Sequence, residues 1–87
     1  MNIDDIKKAL DAKKVVIGAE ETLKKIKLSK LSKVYISSNC PEGKKDDLER
    51  ASKVAKIDFV VLGKTNEELG VVCKKPFSIS VLSTLKD

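Results

Sequence analysis

The sequence contains no histidine, no tryptophan and only three aromatic residues, which are Tyr35, Phe59 and Phe77. Without histidine the chain lacks the commonest general base at neutral pH, and its cysteines have no histidine to activate them as nucleophiles. So few aromatic side chains also argue against a sheet surface that stacks several bases. These absences exclude nucleophilic triads and disfavour an enzyme.

Other motifs of cofactor binding and export are missing as well. Gly18 stands without the further glycines of dinucleotide-binding or phosphate-binding loops, and Cys40 and Cys73 lie too far apart for a zinc motif or a disulfide framework. No apolar run is long enough to span a bilayer, and the first residues lack the pattern of a signal peptide. We therefore predict reduced structural thiols, no cofactor, no metal, no small-molecule substrate and a cytoplasmic protein without a membrane partner.

Lysine, in contrast, is abundant. The 87 residues form one predicted domain, residues 1–87, with a formal charge of +5, and all but one of the 18 cations are lysine. Residues 1–38 hold nine lysines against five acids, densest at Lys24, Lys25, Lys27, Lys30 and Lys33. This excess favours a polyanionic partner contacted through point charges, and a solvated helix face is the alternative interpretation.

Apolar spacing predicts four helices that alternate with four strands. Asn2 is placed to cap a first helix with Ile3, Ile6, Ala9 and Leu10 on its buried face, and a second helix begins at Ala19. A third carries Leu48, Ala51, Val54 and Ala55, and Thr65 with Glu68 forms a capping box for a short fourth. The predicted strands are 15–17, 34–37, 59–62 and 77–83. The order αβαβαβαβ with short connections predicts a central sheet with helices on both faces.

The loops that follow the strands are the expected ligand-binding positions of such a fold. They lie at Gly18, at residues 38–43 and at residues 63–65. Periodicity alone favours an inward-facing Phe77 at the start of the last strand. Because Phe77 follows two lysines and a proline, a partly exposed ring that contacts an unpaired base is the alternative.

The segment after Gly18 places two acids at the start of a helix. Glu20 lies four residues before Lys24, and Glu21 lies four residues before Lys25. Acids in the first turn complement the helix dipole, and pairs at this spacing stabilise a helix by a few tenths of a kcal/mol each. Helix initiation is therefore a sufficient local reason for the two glutamates.

Four segments together resemble the archaeal and eukaryotic family of large-subunit ribosomal protein thirty, L-thirty-e. They are VVIGAEETLKKI, VYISSNCPEGKKDDLERASKVAKI, LGKTNEELG and KKPFSISVLS, and they cover nearly the whole chain from about residue 13 in the right order. That family belongs to the kink-turn RNA-binding superfamily, with ribosomal protein seven-A-e and the box C/D guide-RNA protein. The resemblance implies an α/β/α sandwich with a four-stranded mixed central sheet. The chain ends sooner after its last strand than typical members, which predicts a trimmed tail.

The resemblance also implies an RNA-binding surface made of loops. Gly18 matches the glycine whose backbone approaches RNA, Asn39 an asparagine that reads a base edge, and Phe77 an aromatic residue that contacts an unpaired base. The resulting set of predicted RNA-binding residues is Gly18, Ala19, Glu20, Glu21, Lys24, Lys25, Asn39, Lys75, Pro76 and Phe77. The TNEELG segment, residues 65–70, is a family marker with a predicted structural role, in which Gly70 allows close helix packing.

Glu20 departs from both branches of the superfamily. The seven-A-e branch has Thr-Asn-Glu-Thr-Thr-Lys after the glycine, of which this chain keeps Glu21, Thr22 and Lys24. Glu20 replaces an asparagine that touches a guanine there, and the thirty branch often has lysine. The carboxylate of Glu20 therefore either repels phosphate or accepts a hydrogen bond from guanine or cytosine.

The resulting hypothesis is a non-catalytic RNA-binding component of the large ribosomal subunit that recognises a kink-turn-like element of ribosomal RNA. Its predicted partners are structured RNA and other ribosomal proteins, its location is the ribosome in the cytoplasm, and it is a monomer when free. One alternative is a free kink-turn binder of guide-RNA or other ribonucleoprotein particles. Another is a small α/β interaction module or enzyme that binds no RNA.

Overall fold

The computed structural model describes residues 2–86, with side chains from residue 6 onward. The eight elements are α1 (Asn2–Asp11), β1 (Val15–Ile17), α2 (Ala19–Lys27), β2 (Leu31–Ile36), α3 (Glu42–Ala55), β3 (Asp58–Val61), α4 (Asn66–Val72) and β4 (Val81–Leu85). The predicted alternation of helices and strands is confirmed. The predicted capping by Asn2 and burial of Ile3 lie outside the described side chains, and the predicted domain ends, Met1 and Asp87, lie outside the described residues.

The four strands form one mixed sheet with the order β1-β4-β2-β3. Strand β4 pairs antiparallel with β1 and with β2, and β2 pairs parallel with β3. Strands β1, β2 and β3 consequently end at the same edge of the sheet, where β4 begins. We call this the upper edge, and the opposite edge, where β1 to β3 begin and β4 ends, the lower edge.

Each face of the sheet is covered by two helices, as predicted. One core cluster joins residues of α1 and α4 to one face and includes Ile6, Tyr35, Leu69 and Leu82. The other joins α2 and α3 to the opposite face and includes Ile26, Val34, Leu48 and Val81. Neighbouring strand residues alternate between the two clusters because side chains of a strand point to opposite faces. The protein is therefore a three-layer α/β/α sandwich, with Tyr35 and Phe59 in its core as predicted.

Three details of the predicted elements are wrong. The second strand spans Leu31–Ile36 instead of residues 34–37. The last strand spans Val81–Leu85 instead of residues 77–83, so Phe77 precedes it in a loop. The side chain of Val54, predicted to be buried, is 82% exposed. At about 100° per residue, Val54 lies roughly 90° around α3 from the centre of the stripe formed by Leu48, Ala51 and Ala55. Because Ser52 takes the buried position instead, Val54 faces outward.

Candidate nucleic-acid interface

The loops at the upper edge are joined to each other by backbone hydrogen bonds. The Gly18 N–H donates to the Val81 carbonyl at 2.9 Å, so the loop after β1 is tied to the start of β4. The Ser37 N–H donates to the Ser80 carbonyl at 2.9 Å, and the Ser38 N–H donates to the Lys64 carbonyl at 2.7 Å. The segments after β1, β2 and β3 and the segment before β4 thus form one continuous surface.

Gly18 has a backbone conformation that other residues rarely adopt. Its φ of 104° and ψ of 151° fall in a region populated almost only by glycine. A Cβ built on Gly18 would meet no atom within 4 Å, so the space beside it is open. Gly18 occupies the N-cap position of α2, where it offers no side-chain oxygen to the first N–H groups of the helix. The structure therefore requires glycine for its backbone angles, and a ligand can approach this backbone closely.

A depression of about 280 Å³ lies beside Gly18 at the upper edge. It is lined by Ile17, Gly18, Ala19, Lys44 and residues 77–81. The structure thus brings together Gly18, Ala19 and Phe77 from opposite ends of the sequence. It also adds Lys44, which sequence analysis did not single out. The signal for Lys44 was its position just after the loop that follows β2, in a chain whose cations are nearly all lysine.

Phe77 is an exposed aromatic residue held in a fixed loop. Its side chain is 53% exposed, so the inward packing that periodicity alone favoured is wrong, and the alternative of a partly exposed ring is confirmed. The loop is fixed by α4, because a Cβ on Gly70 would overlap the Phe77 carbonyl oxygen and lie 3.2 Å from its carbonyl carbon. The Lys75 N–H donates to the Gly70 carbonyl at 2.9 Å, and Lys74 takes the left-handed conformation, with φ 56°. Lys75 and Pro76 are exposed in the same loop.

Asn39 is bonded to Asn66 at the start of α4, 27 residues away in the sequence. The Asn66 N–H donates to Asn39 Oδ1 at 2.9 Å, and Asn39 Nδ2 donates to Asn66 Oδ1 at 3.0 Å. A backbone N–H can only donate, so the Asn39 atom facing it must be the oxygen, which fixes both amide orientations. One N–H of Asn39 and two of Asn66 remain outside this pair. The two amides therefore present mainly donors to a ligand.

The marker segment, residues 65–70, takes part in the upper-edge surface as well as in the fold. Thr65 and Glu68 form the predicted capping box, with the Thr65 N–H bonded to Glu68 Oε1 at 3.0 Å. Hydrogen bonds from the backbone and side chain of Thr65 hold the pKa of Glu68 below its usual value. The Asn66 carbonyl accepts from the Ile79 N–H at 2.9 Å. The segment thus holds both Asn39 and the loop of Phe77.

The charged residues of α2 are arranged differently from the predicted pairs. Lys24 Nζ lies 3.7 Å from Glu21 Oε1, a pair three residues apart, in place of the predicted Glu20–Lys24 pair. Glu20 is exposed in the first turn beside the depression, and Lys25 is half-buried. At 1.5 Å per residue, Lys24 and Lys25 lie about 8 Å further along the helix from Ala19. They are therefore set back from the depression.

Thr22 anchors the first turn of α2 from the inside. Its side chain is buried, and its Oγ1 lies 3.1 Å from the Oγ of Ser83 in β4. The Ser83 hydroxyl also reaches the Val16 carbonyl at 3.5 Å. This chain of contacts joins α2, β4 and β1 directly below Gly18. Thr22 consequently positions the glycine loop without itself being open to a ligand.

Several other features do not indicate catalysis or metal binding. A larger depression of about 470 Å³ lies between α2 and α3, but its lining is mostly apolar, with Ile26, Ala51 and Val54. Burial raises the pKa values of Cys40 and Cys73 despite nearby lysines, so both remain thiols at neutral pH. Among the described residues, no group of three or more His, Cys, Asp or Glu is placed to hold a metal ion. Within the same part of the chain, no helix is long and apolar enough to span a membrane.

The fold and the upper-edge loops define an α/β/α domain with a candidate ligand-binding surface of glycine backbone, paired amides and an exposed ring. Residues 3–87 match the model of the ribosomal protein L7Ae/L30e/S12e/Gadd45 family, and the chain belongs to this family.

Two similar proteins are archaeal ribosomal proteins. The large ribosomal subunit protein eL30 of Methanothermobacter thermautotrophicus is 39% identical over 83 residues, covering 94% of this chain and 85% of that protein. The eL30 of Sulfolobus acidocaldarius is 34% identical, covering 95% and 80%.

Two solved structures share the fold. The Giardia lamblia 15.5kD RNA binding protein has a TM-score of 0.86 at 21% identity, covering 98% of this chain and 71% of that one. A Bacillus halodurans protein of unknown function has a TM-score of 0.83 at 22% identity, covering 90% and 77%.

Proposed function

We propose that this protein is a non-catalytic RNA-binding component of the large ribosomal subunit that recognises a kink-turn-like element of ribosomal RNA. The observation that carries the proposal is the convergence of Gly18, the Asn39–Asn66 pair and the exposed Phe77 on one edge of the sheet. The names of the archaeal relatives support the ribosomal setting. The protein acts in the cytoplasm on the ribosome, beside other ribosomal proteins, and is a monomer when free.

The glycine loop supplies the surface for the sharply bent RNA backbone. Because Gly18 has no side chain and open space beside it, sugar and phosphate groups can lie directly against its peptide. Lys44 lines the depression and Lys75 is exposed in the loop of Phe77, so both are proposed phosphate contacts, whereas Lys24 and Lys25 act further along α2. Phosphate contacts of this kind position the RNA and carry no sequence information.

The paired amides supply the base-specific contacts. Their unpaired N–H groups match acceptor atoms, such as O6 and N7 of guanine, better than they match donors. Since Asn39 and Asn66 already hold each other in place, little side-chain entropy is lost when a base is bound. The pair is therefore prepared to read the edge of a base that is splayed out of the helix.

The exposed ring of Phe77 supplies a stacking platform. Single-stranded or bulged bases stack on aromatic side chains, and such a contact contributes about 1–3 kcal/mol as measured by alanine substitution. The loop is held by Gly70, so the ring is presented in one place. A kink turn supplies the unpaired base that this arrangement needs.

The test is the affinity for a kink-turn hairpin and for the same hairpin with its bulge replaced by paired bases. We expect the parent to prefer the kinked hairpin and Phe77→Ala to lose about 5- to 150-fold in affinity for it, from the stacking energy above. Val54→Ala, an exposed apolar residue on α3, is the matched control and should change affinity less than about twofold. Equal binding of both hairpins by the parent would reject kink-turn recognition.

Asn39 is tested with two substitutions that separate folding from base recognition. Asn39→Asp keeps an acceptor for the Asn66 N–H but removes the donor, whereas Asn39→Ala removes both. We expect both variants to weaken binding of the kinked hairpin and Asn39→Asp to stay as stable as the parent within about 0.5 kcal/mol. Undiminished affinity of Asn39→Ala would remove Asn39 from the interface.

Glu20→Lys tests whether the acid beside the glycine loop repels phosphate or contacts a base. We expect tighter binding, because Glu20 is exposed near the proposed RNA backbone and Lys24 is paired with Glu21 instead. A loss of affinity would mean that Glu20 accepts a hydrogen bond from a base amino or imino group.

The ribosomal setting is tested by sedimentation of the cellular protein. Material that sediments with the large subunit supports the proposal, and material confined to small particles would instead identify a free kink-turn binder. Crosslinking in cells then maps the bound RNA.

A further inference from the structure

The lower edge of the sheet carries exposed lysines from four different segments. Lys13 follows α1, Lys30 follows α2, Lys56 follows α3 and Lys86 follows β4. We call these four residues the basic row. None of them was among the predicted RNA-binding residues, and the row lies at the opposite end of the strands from Gly18 and Phe77.

The backbone hydrogen bonds of the lower edge place the row in the same order as the strands. The Leu85 N–H donates to the Lys14 carbonyl at 2.8 Å, and the Lys86 N–H donates to the Lys30 carbonyl at 2.9 Å. Lys86 therefore lies between the end of α1 and the end of α2. Lys56 lies beyond them, just before β3. At about 4.8 Å between strands, four strands give a row about 14 Å long.

Among the described residues, the lower edge has fewer acids than the proposed kink-turn surface. Its described acids are Asp11 and Asp58, and two further lysines, Lys14 and Lys33, are half-buried there. At the upper edge the lysines stand among glutamates, which include Glu20, Glu67 and Glu68, and Lys64 is paired with Glu68 at 3.8 Å. Much of the early lysine excess therefore lies away from the base-recognition loops.

Helix dipoles account for only part of this pattern. A lysine at the end of a helix is stabilised by the negative end of the dipole, which suits Lys13 and Lys56. Both have left-handed backbone angles, with φ of 59° and 58°, at positions where glycine is the usual residue. Lys86 follows a strand, so no helix dipole accounts for it, and its backbone is bonded to Lys30. The two exposed lysines therefore stand on neighbouring segments, where one phosphate backbone can be contacted by both.

We propose that the basic row binds the phosphate backbone of a second RNA segment, so that the domain bridges two RNA segments held on opposite edges of its sheet. The row consists of lysines, which contact phosphate as point charges, so the contact is independent of base sequence. The domain measures 30 × 29 × 22 Å, so the two segments would lie within about one protein diameter of each other. This inference goes beyond the recognition of one kink turn proposed above.

The test is a capture experiment with two RNAs. The kink-turn hairpin is immobilised and saturated with protein, and binding of a labelled RNA duplex without a kink is then measured over a range of salt. The variant is Lys13→Gln/Lys30→Gln/Lys86→Gln. The matched control is Lys7→Gln/Lys8→Gln/Lys53→Gln, which removes the same charge from exposed helix positions.

We expect the row variant to capture the duplex at least tenfold more weakly than the parent and to lower the salt slope by about 2–3, from the loss of three phosphate contacts. Its affinity for the kinked hairpin should stay within about twofold of the parent, and the control should keep both activities. Equal capture by the row variant, or an equal loss in the control, would overturn the proposal.

Two further arms identify the partner and separate this inference from the proposed function. Leu28 is exposed near Lys30, so vesicles of anionic lipid and a polyglutamate peptide are tested on the same protein. Binding of either one through the row, without binding of the duplex, would refute the RNA assignment. If the parent fails to bind the kinked hairpin, the proposed function fails, and duplex binding measured directly in solution still tests the row.

Discussion

Replacing Gly70 with alanine adds one methyl group at a position where the structure has no room for it. The new Cβ would overlap the Phe77 carbonyl oxygen and approach the Ser78 Cα to 3.4 Å. These are backbone atoms, so no side-chain rotation relieves the overlap, and the loop of Phe77 must move. Overpacking of this kind costs about 1–3 kcal/mol. Alanine is also a better helix former than glycine by up to about 1 kcal/mol, which offsets part of this cost.

We therefore expect Gly70→Ala to lower the free energy of unfolding by about 1–2 kcal/mol and the melting temperature by roughly 5–15 °C. Gly43→Ala is the matched control, because Gly43 also lies in a helix and a Cβ there would meet nothing within 4 Å. It should be neutral or stabilising by up to about 1 kcal/mol. Urea and thermal unfolding followed by circular dichroism measure both values. Equal or greater stability of Gly70→Ala would refute the close packing.

RNA binding tests whether the same packing positions the ring. Gly70→Ala should weaken binding of the kinked hairpin at temperatures where the variant remains folded. In a Phe77→Ala background the same substitution should have little further effect, because the ring that it displaces is gone. If the losses of affinity from Gly70→Ala and Phe77→Ala were additive in the double variant, Gly70 would affect RNA binding without acting through the ring of Phe77.

Three further predictions concern the parts that hold the upper edge. Gly18→Ala should lower stability by about 1–3 kcal/mol, because φ of 104° is strained for alanine; unchanged urea unfolding would contradict this. Thr22→Val should cost about 1 kcal/mol through loss of the 3.1 Å contact with Ser83, and a double-mutant cycle with Ser83→Ala should show coupling between them. Because the pKa of Glu68 is lowered from 4.5 in the folded state, its stabilising contribution is present above pH 4.5 and is lost as the pH falls through the lowered value. At pH 7 the Glu68→Gln variant should therefore be less stable than the parent, and this difference should disappear at acidic pH. A difference that is constant with pH would contradict a stabilising role for the ionised Glu68 carboxylate.

The features predicted correctly from the sequence depend on residues close together in the chain. The β-branched run at residues 15–17 and the capping box of Thr65 and Glu68 each follow from a few neighbouring side chains. The alternation of helices and strands with short connections was enough to predict helices on both faces of the sheet. Local patterns with a clear physical cause were therefore reliable here.

The features that were missed depend on residues far apart in the chain. The alternation of Phe77, Ile79 and Val81 is typical of a strand, but Gly70 and Asn66 hold the chain there as a loop. The pairing of Asn39 with Asn66 likewise joins two loops 27 residues apart, and neither sequence position indicates the other. Family resemblance pointed to Asn39 and Phe77 as RNA contacts, and the structure adds the contacts that hold them in place.

The position of β4 in the sheet has a consequence for synthesis of the protein. Strand β4 lies between β1 and β2, so those two strands have no neighbour at this place until residues 81–85 leave the ribosome. The loop of Phe77 directly precedes β4 and is made just before it. A nascent chain would therefore expose unpaired strand edges and lack the proposed RNA-binding surface until β4 inserts. Pairing of the sheet and formation of this surface would then be completed together, once β4 has emerged.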